Sequence, residues 1–272
     1  MTQRLSVSNI AWPTEARESI YGLLRDLGVA GVEVAPTKIA PWDSLTADIL
    51  LRERQLLSSK GLTVSSYQAL YFGRPDLQLL GTEEEFDALV RHTVRVADLA
   101  KHLSDGGIGV FGAPRNRYRG GLSEADAFAL GQERFRVLAE AVAPFGFSLA
   151  LEPAPALYGG DFLETSAACA AMVRAVAHPA LRLNVDAGCL ELSGDVSSVV
   201  VTECADVMGH VHLSRPHLAP VDRSAPDLRN LLRCLAETGY PGWIAIEMRE
   251  TTTPAEAVAR AVRAVLSARE EG

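Results

Sequence analysis

The sequence has no run of 18 apolar residues, so no segment reads as a membrane span. It has no basic excess. The 34 Asp and Glu outnumber the 26 Lys and Arg, and the formal net charge of −8 argues against a nucleic-acid surface. Cysteine is scarce and unpatterned: Cys169, Cys189, Cys204 and Cys234 show no CxxC spacing and sit among apolar residues. The simple reading is a reduced, cytoplasmic chain. No Walker loop, HExxH or GxSxG occurs, and the glycines of "GGLSEADAFALG" make no phosphate-binding fingerprint. The opening "MTQRLSVSNIAWP" has one Arg, a short apolar stretch and no small-residue cleavage site. It reads as a first strand and not as a secretory leader.

What the chain does have is alternation. Eight β-like runs recur: "LSVSNIAW" (5–12), "GVEVAP" (31–36), "LTVSSYQAL" (62–70), "GIGVFGAP" (107–114), "FSLALEP" (147–153), "LRLNVDAG" (181–188), "GHVHLS" (209–214) and "WIAIEM" (243–248). Stretches of helical periodicity lie between them. In "TEARESIYGLLRDLG", Ile20, Leu23, Leu24 and Leu27 share a face and Gly28 ends it. "SEADAFALGQERFRVLAEAVAPFG" opens on Ser123, a natural N-cap. Strand and helix in strict succession imply a parallel sheet, and eight units in a chain of 272 residues fit an α/β fold of the (β/α)8 TIM barrel type. The competing doubly wound sheet wants a Gly-rich loop after the first strand, where this chain reads "NIAWPTEA". No low-complexity linker interrupts the pattern, so residues 1–272 are expected to form one domain.

In such a barrel the active site lies at the C-terminal strand ends. The last four strands place Glu152, Asp186, His212 and Glu247 there, one each, within "LALEP", "LNVDA", "HVHLS" and "IAIEM". Alternation turns them inward. Singly, each has a bland reading: Asp186 can cap the next turn, and Glu152 can be a strand-end ion pair. Together, three carboxylates and an imidazole repel unless a cation sits among them. An oxygen-rich set with one His suits Mn²⁺, Mg²⁺ or Co²⁺. His210, a layer deeper, reads as core or as support for the ligands.

These residues resemble the sugar isomerase/epimerase superfamily of xylose-isomerase-like barrels, which includes ketose 3-epimerases, hydroxypyruvate isomerases and inosose-processing enzymes. In those proteins a Glu, an Asp, a His and a Glu at the ends of strands five to eight hold one divalent metal. The resemblance implies that Glu152, Asp186, His212 and Glu247 are the ligands, and that Glu152 and Glu247 are also the acid/base pair. It implies proton abstraction next to a carbonyl, through a metal-stabilised enediolate of a sugar-like keto-polyol. A homodimer is one assembly it allows.

Two departures bear on the substrate. Many sugar-handling members carry a His three residues after the strand-six Asp, where this chain has Cys189. Many follow the strand-seven His with an acidic, Gly-rich segment, where this chain reads "HLSRPHLAPVD" and places Ser214, Arg215 and Pro216. With Arg115 and Arg117 in "GAPRNRYRGG", an acidic or phosphorylated polyol becomes more credible than a free hexose. Candidate substrate contacts are Arg115, Arg117, Tyr158, Asp161, Arg215, His217, Gln68 and Cys189. Asn9, Trp12 and Glu33 lie near early strand ends, where sheet-end hydrogen bonding serves as well, and Tyr71 and Phe72 read as core. The alternatives are a metal-dependent dehydratase or lyase on the same barrel, an abasic-site endonuclease, and a non-catalytic binding barrel. The endonuclease branch resembles a multi-metal site with more His ligands than a chain of six histidines supplies.

Overall fold

The computed structural model describes residues 4–225 and 227–271. Eight strands close into a parallel barrel in chain order: β1 (Arg4–Ser8), β2 (Gly31–Val34), β3 (Thr63–Tyr67), β4 (Gly107–Phe111), β5 (Phe147–Leu151), β6 (Leu181–Asp186), β7 (Met208–Leu213) and β8 (Trp243–Ile246). The closing pair is β1 with β8, in register from Arg4↔Trp243 to Val7↔Ile246. That pairing excludes the open doubly wound sheet.

Helices α1 (Arg17–Asp26), α2 (Ala47–Ser59), α3 (Glu83–Ser104), α4 (Glu124–Val142) and α5 (Ser166–Val176) follow the first five strands. Two short helices, α6 (Ala187–Ser193) and α7 (Ser197–Cys204), follow β6, where the sequence pattern suggested one. Helices α8 (Leu228–Glu237) and α9 (Pro254–Glu270) follow β7 and β8. Local chemistry sets the ends. Thr82 and Glu85 form a capping box at α3, and Ser123 Oγ accepts from Asp126 N at α4. Gly28, just beyond α1, takes φ +74°, which a side chain disfavours. Among the described residues, no helix is long and apolar enough to cross a membrane.

The alternation of each strand divides the core in two. On β6, Leu181, Leu183 and Val185 are buried within one continuous apolar cluster shared with the helices. The lumen side is polar. Glu33 on β2 reaches His210 and His212 on β7, strands that are not neighbours, so all three point into the barrel. Ser6, Ser8, Ser66 and Asn184 are buried as well. A lumen filled with hydrogen-bonded polar groups makes a rigid floor for whatever stands on it.

Candidate functional site

Glu152 and Glu247 each lie one residue past a strand, and their backbone N–H groups continue the ladder by donating to Phe111 O at 3.1 Å and Leu213 O at 3.0 Å. Asp186 ends β6 and caps α6, accepting from Cys189 N at 2.7 Å through Oδ1. Its Oδ2 accepts from Ser214 Oγ at 2.6 Å. The bland reading of Asp186 as a cap therefore holds alongside its place in the cluster.

The four side chains converge. Each offers one ligand atom, and these atoms lie within 4.8 Å of one another. His212 Nδ1 stands 2.9 Å from Glu152 Oε1, 3.3 Å from Glu247 Oε2 and 3.8 Å from Asp186 Oδ2. That nitrogen is buried and makes no hydrogen bond of acceptable geometry. The other ring nitrogen, Nε2, is engaged with Glu33 Oε1 at 3.0 Å. Glu33 Oε1 also takes Ser66 Oγ at 2.8 Å and His210 Nε2 at 3.0 Å, and Oε2 takes Gln68 Nε2 at 2.8 Å.

The electrostatics follow from this crowding. Burial raises the Asp186 carboxyl above the usual carboxylate range, and Glu152 beside it adds to the rise. Burial also raises Glu247, against the pull of His212. Burial alone would lower the His212 imidazole, but Glu33 and Glu247 carry it well above its ordinary value. Burial works to raise Glu33, yet His212 and His210 hold it well below the normal range. The raised Asp186, Glu247 and His212 report that the cluster needs positive charge at its centre. A divalent cation meets that need, and three carboxylate oxygens with one imidazole nitrogen make a suitable donor set.

Two adjoining cavities, of about 480 and about 420 Å³, share Glu152, Tyr158 and Glu247 in their walls. The first runs along the β3 and β4 loops past Gln68, Leu70, Phe72, Pro114 and Arg115. The second lies among the β5, β6 and β7 loops, against Asp186, Cys189, Ser214, Arg215, His217 and Leu218.

Six of the eight anticipated contact residues thus line a cavity, and two do not. Arg117 is buried; its Nη2 donates to the Glu152 carbonyl at 2.5 Å, and the guanidinium lies 6.0 Å from the Phe111 ring centroid. Arg117 was expected among the substrate contacts. The chain turns inward because Asn116 Nδ2 donates to Arg74 O and Leu77 O, at 2.8 and 2.7 Å. Asp161 ties loops together, accepting from Arg119 N at 2.8 Å and Gly120 N at 3.3 Å. Arg215 lines the second cavity but already faces Glu191 at 3.7 Å. Gln68 directs its amide nitrogen to Ser8 and Glu33, away from the first cavity. The Cys189 thiol faces Pro153 O at 3.8 Å, and burial with the nearby Asp186 and Glu152 pushes it strongly up, so it stays neutral. Asn9 bridges the ends of β1 and β2 through Ala35, and Trp12 is core. Tyr71 is buried as anticipated, whereas Phe72 is 68% exposed.

Sequence reasoning gave Glu33 only a sheet-end hydrogen-bonding role and passed over two further supports of the cluster, Asn184 and Gly112. Glu33 is a charge in an apolar strand, the same signal that singled out Glu247. Asn184 Nδ2 donates to Glu152 Oε1 at 2.7 Å. Gly112 leaves room for Glu152, since a Cβ there would fall on Glu152 Oε2.

Comparison with known proteins agrees with this fold. The protein-family profile "Xylose isomerase-like TIM barrel" matches residues 22–269. Among solved structures, D-psicose 3-epimerase from Clostridium cellulolyticum H10, crystallised with D-tagatose, is similar with a TM-score of 0.76 and 13% identity, over 98% of this chain and 97% of that one. The 3-keto-D-glucoside 4-epimerase of E. coli gives 0.76 and 17%, over 99% and 100%. An AP endonuclease of family 2 from Brucella melitensis gives 0.73 and 20%, over 95% and 97%. At these identities the likeness is one of fold. No curated protein matches the sequence significantly.

Proposed function

The chain belongs to the xylose isomerase-like TIM barrel family, and from that premise we propose that it is a divalent-metal-dependent isomerase or epimerase of a sugar-like keto-polyol. The observation that carries this reading is His212 Nδ1, buried and facing three carboxylates with no hydrogen bond of its own. Glu152, Asp186, His212 and Glu247 would hold the ion, and Mn²⁺, Mg²⁺ and Co²⁺ suit that donor set. Such an ion acts as a Lewis acid on the substrate carbonyl and offsets the charge that develops there.

The chain's own residues supply the proton chemistry. One of Glu152 and Glu247 takes the proton α to the carbonyl; the C–H electrons move into the C–C bond and the carbonyl π electrons onto oxygen. The other, in its carboxylic acid form, returns a proton. Return to the same carbon from the opposite face inverts it; return to the neighbouring carbon, with the hydroxyl proton of the deprotonated carbon passing to the former carbonyl oxygen, moves the carbonyl. Asn184 and the space left by Gly112 fix the Glu152 carboxylate, while Ser214 and the α6 N-terminus fix Asp186. Both glutamates line both cavities, which supports a substrate lying across the cluster.

Charge favours a neutral polyol over an acidic or phosphorylated one. Arg117 is turned to a backbone carbonyl and Arg215 faces Glu191, which leaves only Arg115, of the three arginines, exposed without a side-chain partner among the described residues. The multi-metal endonuclease reading gains no support. The second His-containing group, Glu33 with His210 and His212, is closed by hydrogen bonds. We further read residues 1–272 as one domain, on the pairing of the first strand with the last. A reducing, cytoplasmic setting fits four buried, free cysteines.

Solvent deuterium incorporation tests the function. Mn²⁺-loaded protein incubated with a panel of ketoses in D₂O should exchange the α-proton, and Glu152→Gln or Glu247→Gln should abolish exchange. Metal-bound protein that exchanges no proton of any keto-polyol overturns the reading, and an unsaturated product points to a lyase instead.

A further inference from the structure

The second cavity poses a simple question of capacity: which of its polar side chains still has a hydrogen bond to give? Both Asp186 oxygens are engaged, by Cys189 N and Ser214 Oγ. Ser214 Oγ donates to Asp186 and accepts from Gly188 N at 2.9 Å. Arg215 faces Glu191, and its Nη1 lies 3.4 Å from Ser224 Oγ. Cys189 is a neutral thiol, a weak donor. What remains is Tyr158, His217 and the Arg215 Nε, which is buried without a hydrogen bond. The Tyr158 hydroxyl accepts from His217 N at 2.8 Å and keeps its own proton to donate. The His217 ring makes no hydrogen bond among the described residues; it stands edge-on to the Tyr158 ring, with centroids 5.7 Å apart at 80°.

The backbone singles out the same residue. His217 and Leu218 are consecutive non-glycine residues in the left-handed region, at φ 59° and 52°. Such conformations persist where the surroundings over-determine them, and they cluster at ligand sites. Here Tyr158 fixes His217 N, while Leu218 donates to Arg215 O at 2.9 Å and accepts from Arg249 N at 2.8 Å. A turn braced from three elements presents an unengaged imidazole to a cavity that contains two of the clustered glutamates.

We propose that His217 is the specificity-determining residue of the second cavity, where with the Tyr158 hydroxyl it binds neutral hydroxyl groups of the keto-polyol. This rests on the metal-dependent reading above. It answers the question raised by Cys189: the hydrogen bonding that a side chain on the first turn after β6 does not supply comes from the loop after β7. A neutral imidazole offers one donor and one acceptor, which matches a hydroxyl. An anionic group is disfavoured, because three carboxylates, Glu152, Asp186 and Glu247, line this cavity against one arginine that already faces Glu191.

Titration calorimetry of Mn²⁺-loaded protein with D-tagatose tests the assignment, with the Mn²⁺ dissociation constant and the thermal midpoint measured in parallel. His217→Phe keeps the edge-on ring and removes both nitrogens. His217→Asn restores a donor and an acceptor on a residue that tolerates φ > 0. The expected result is about tenfold weaker D-tagatose binding in His217→Phe, with Mn²⁺ affinity within about twofold and partial recovery in His217→Asn. Equal D-tagatose affinity in wild type and His217→Phe overturns the assignment and leaves the proposed function standing. Wild-type protein that binds Mn²⁺ but neither D-tagatose nor any other ketose overturns both.

Discussion

Glu33 Oε1 meets His212 Nε2 at 3.0 Å across the barrel lumen, joining β2 to β7. Glu33, held as a carboxylate, engages Nε2, so Nδ1 is the nitrogen whose lone pair would go to a cation among Glu152, Asp186 and Glu247. A carboxylate behind a ligating imidazole sets its tautomer, fixes its ring and raises its basicity. Glu33→Gln keeps the shape and removes the charge. It should weaken Mn²⁺ binding about 10- to 100-fold, read by calorimetry beside a thermal midpoint that confirms folding. Unaltered Mn²⁺ affinity would show that Glu33 merely fills the lumen.

Gly112 and Glu152 make a steric prediction. A methyl group at residue 112 would occupy the place of Glu152 Oε2, so Gly112→Ala must displace that carboxylate. A shift near 1 Å at a reacting group costs about 100-fold in rate. Exchange of the α-proton should fall by that order while circular dichroism stays unchanged. Retained exchange in a folded Gly112→Ala protein would remove Glu152 from the chemistry.

The same residues show what a sequence discloses. Glu152, Asp186, His212 and Glu247 are legible because each is a polar group at the end of an apolar run, and strand order alone brings such ends to one mouth. Glu33 gives the same signal in "GVEVAP", but its meaning depends on Ser66 and His210, 33 and 177 positions away. Arg117 reads as loop because nothing local reveals that Asn116 is tied to the β3 exit. The break between α6 and α7 has a local cause, Gly194 at φ +72°, yet it is hidden within "LSGDVSSVVV".

Arg117 carries a stability prediction. Its guanidinium is buried, donates to the Glu152 carbonyl and lies near the Phe111 ring, so removal opens a cavity and strips a buried acceptor. Burial of the charge lowers its pKa and works in the opposite sense. Loss of packing and of the hydrogen bond outweighs relief of that desolvation, and Arg117→Ala should cost about 3 kcal/mol in urea unfolding. A variant as stable as wild type would reverse this ordering of the two effects.

His92 predicts a pH effect on the wall of the first cavity. Its Nε2 contacts Leu70 O at 2.8 Å, its Nδ1 lies 3.3 Å from Arg74 Nη1, and it packs edge-on to Trp42. Burial pushes its pKa below the ordinary 6.5. The folded state therefore prefers the neutral ring, and the unfolded chain binds the proton more readily. The stability tied to neutral His92 is complete above 6.5 and declines as pH falls below it towards the depressed folded value. His92→Gln should flatten that part of the urea-unfolding profile, measured from about pH 5 to 7.5. An unchanged slope would assign the acid response to other groups.

Metal removal couples the cluster to folding. The unfolded chain does not hold Glu152, Asp186, His212 and Glu247 together, so an ion that binds them stabilises only the native state. Protein stripped with EDTA and then given Mn²⁺ at about 100 times its dissociation constant should gain about 2.7 kcal/mol. Glu247→Gln removes one carboxylate charge from the set and should shift the Mn²⁺ concentration needed for that gain upward. An increment in wild type that Glu247→Gln leaves untouched would place the ion elsewhere, and no increment at all would argue against a resident metal.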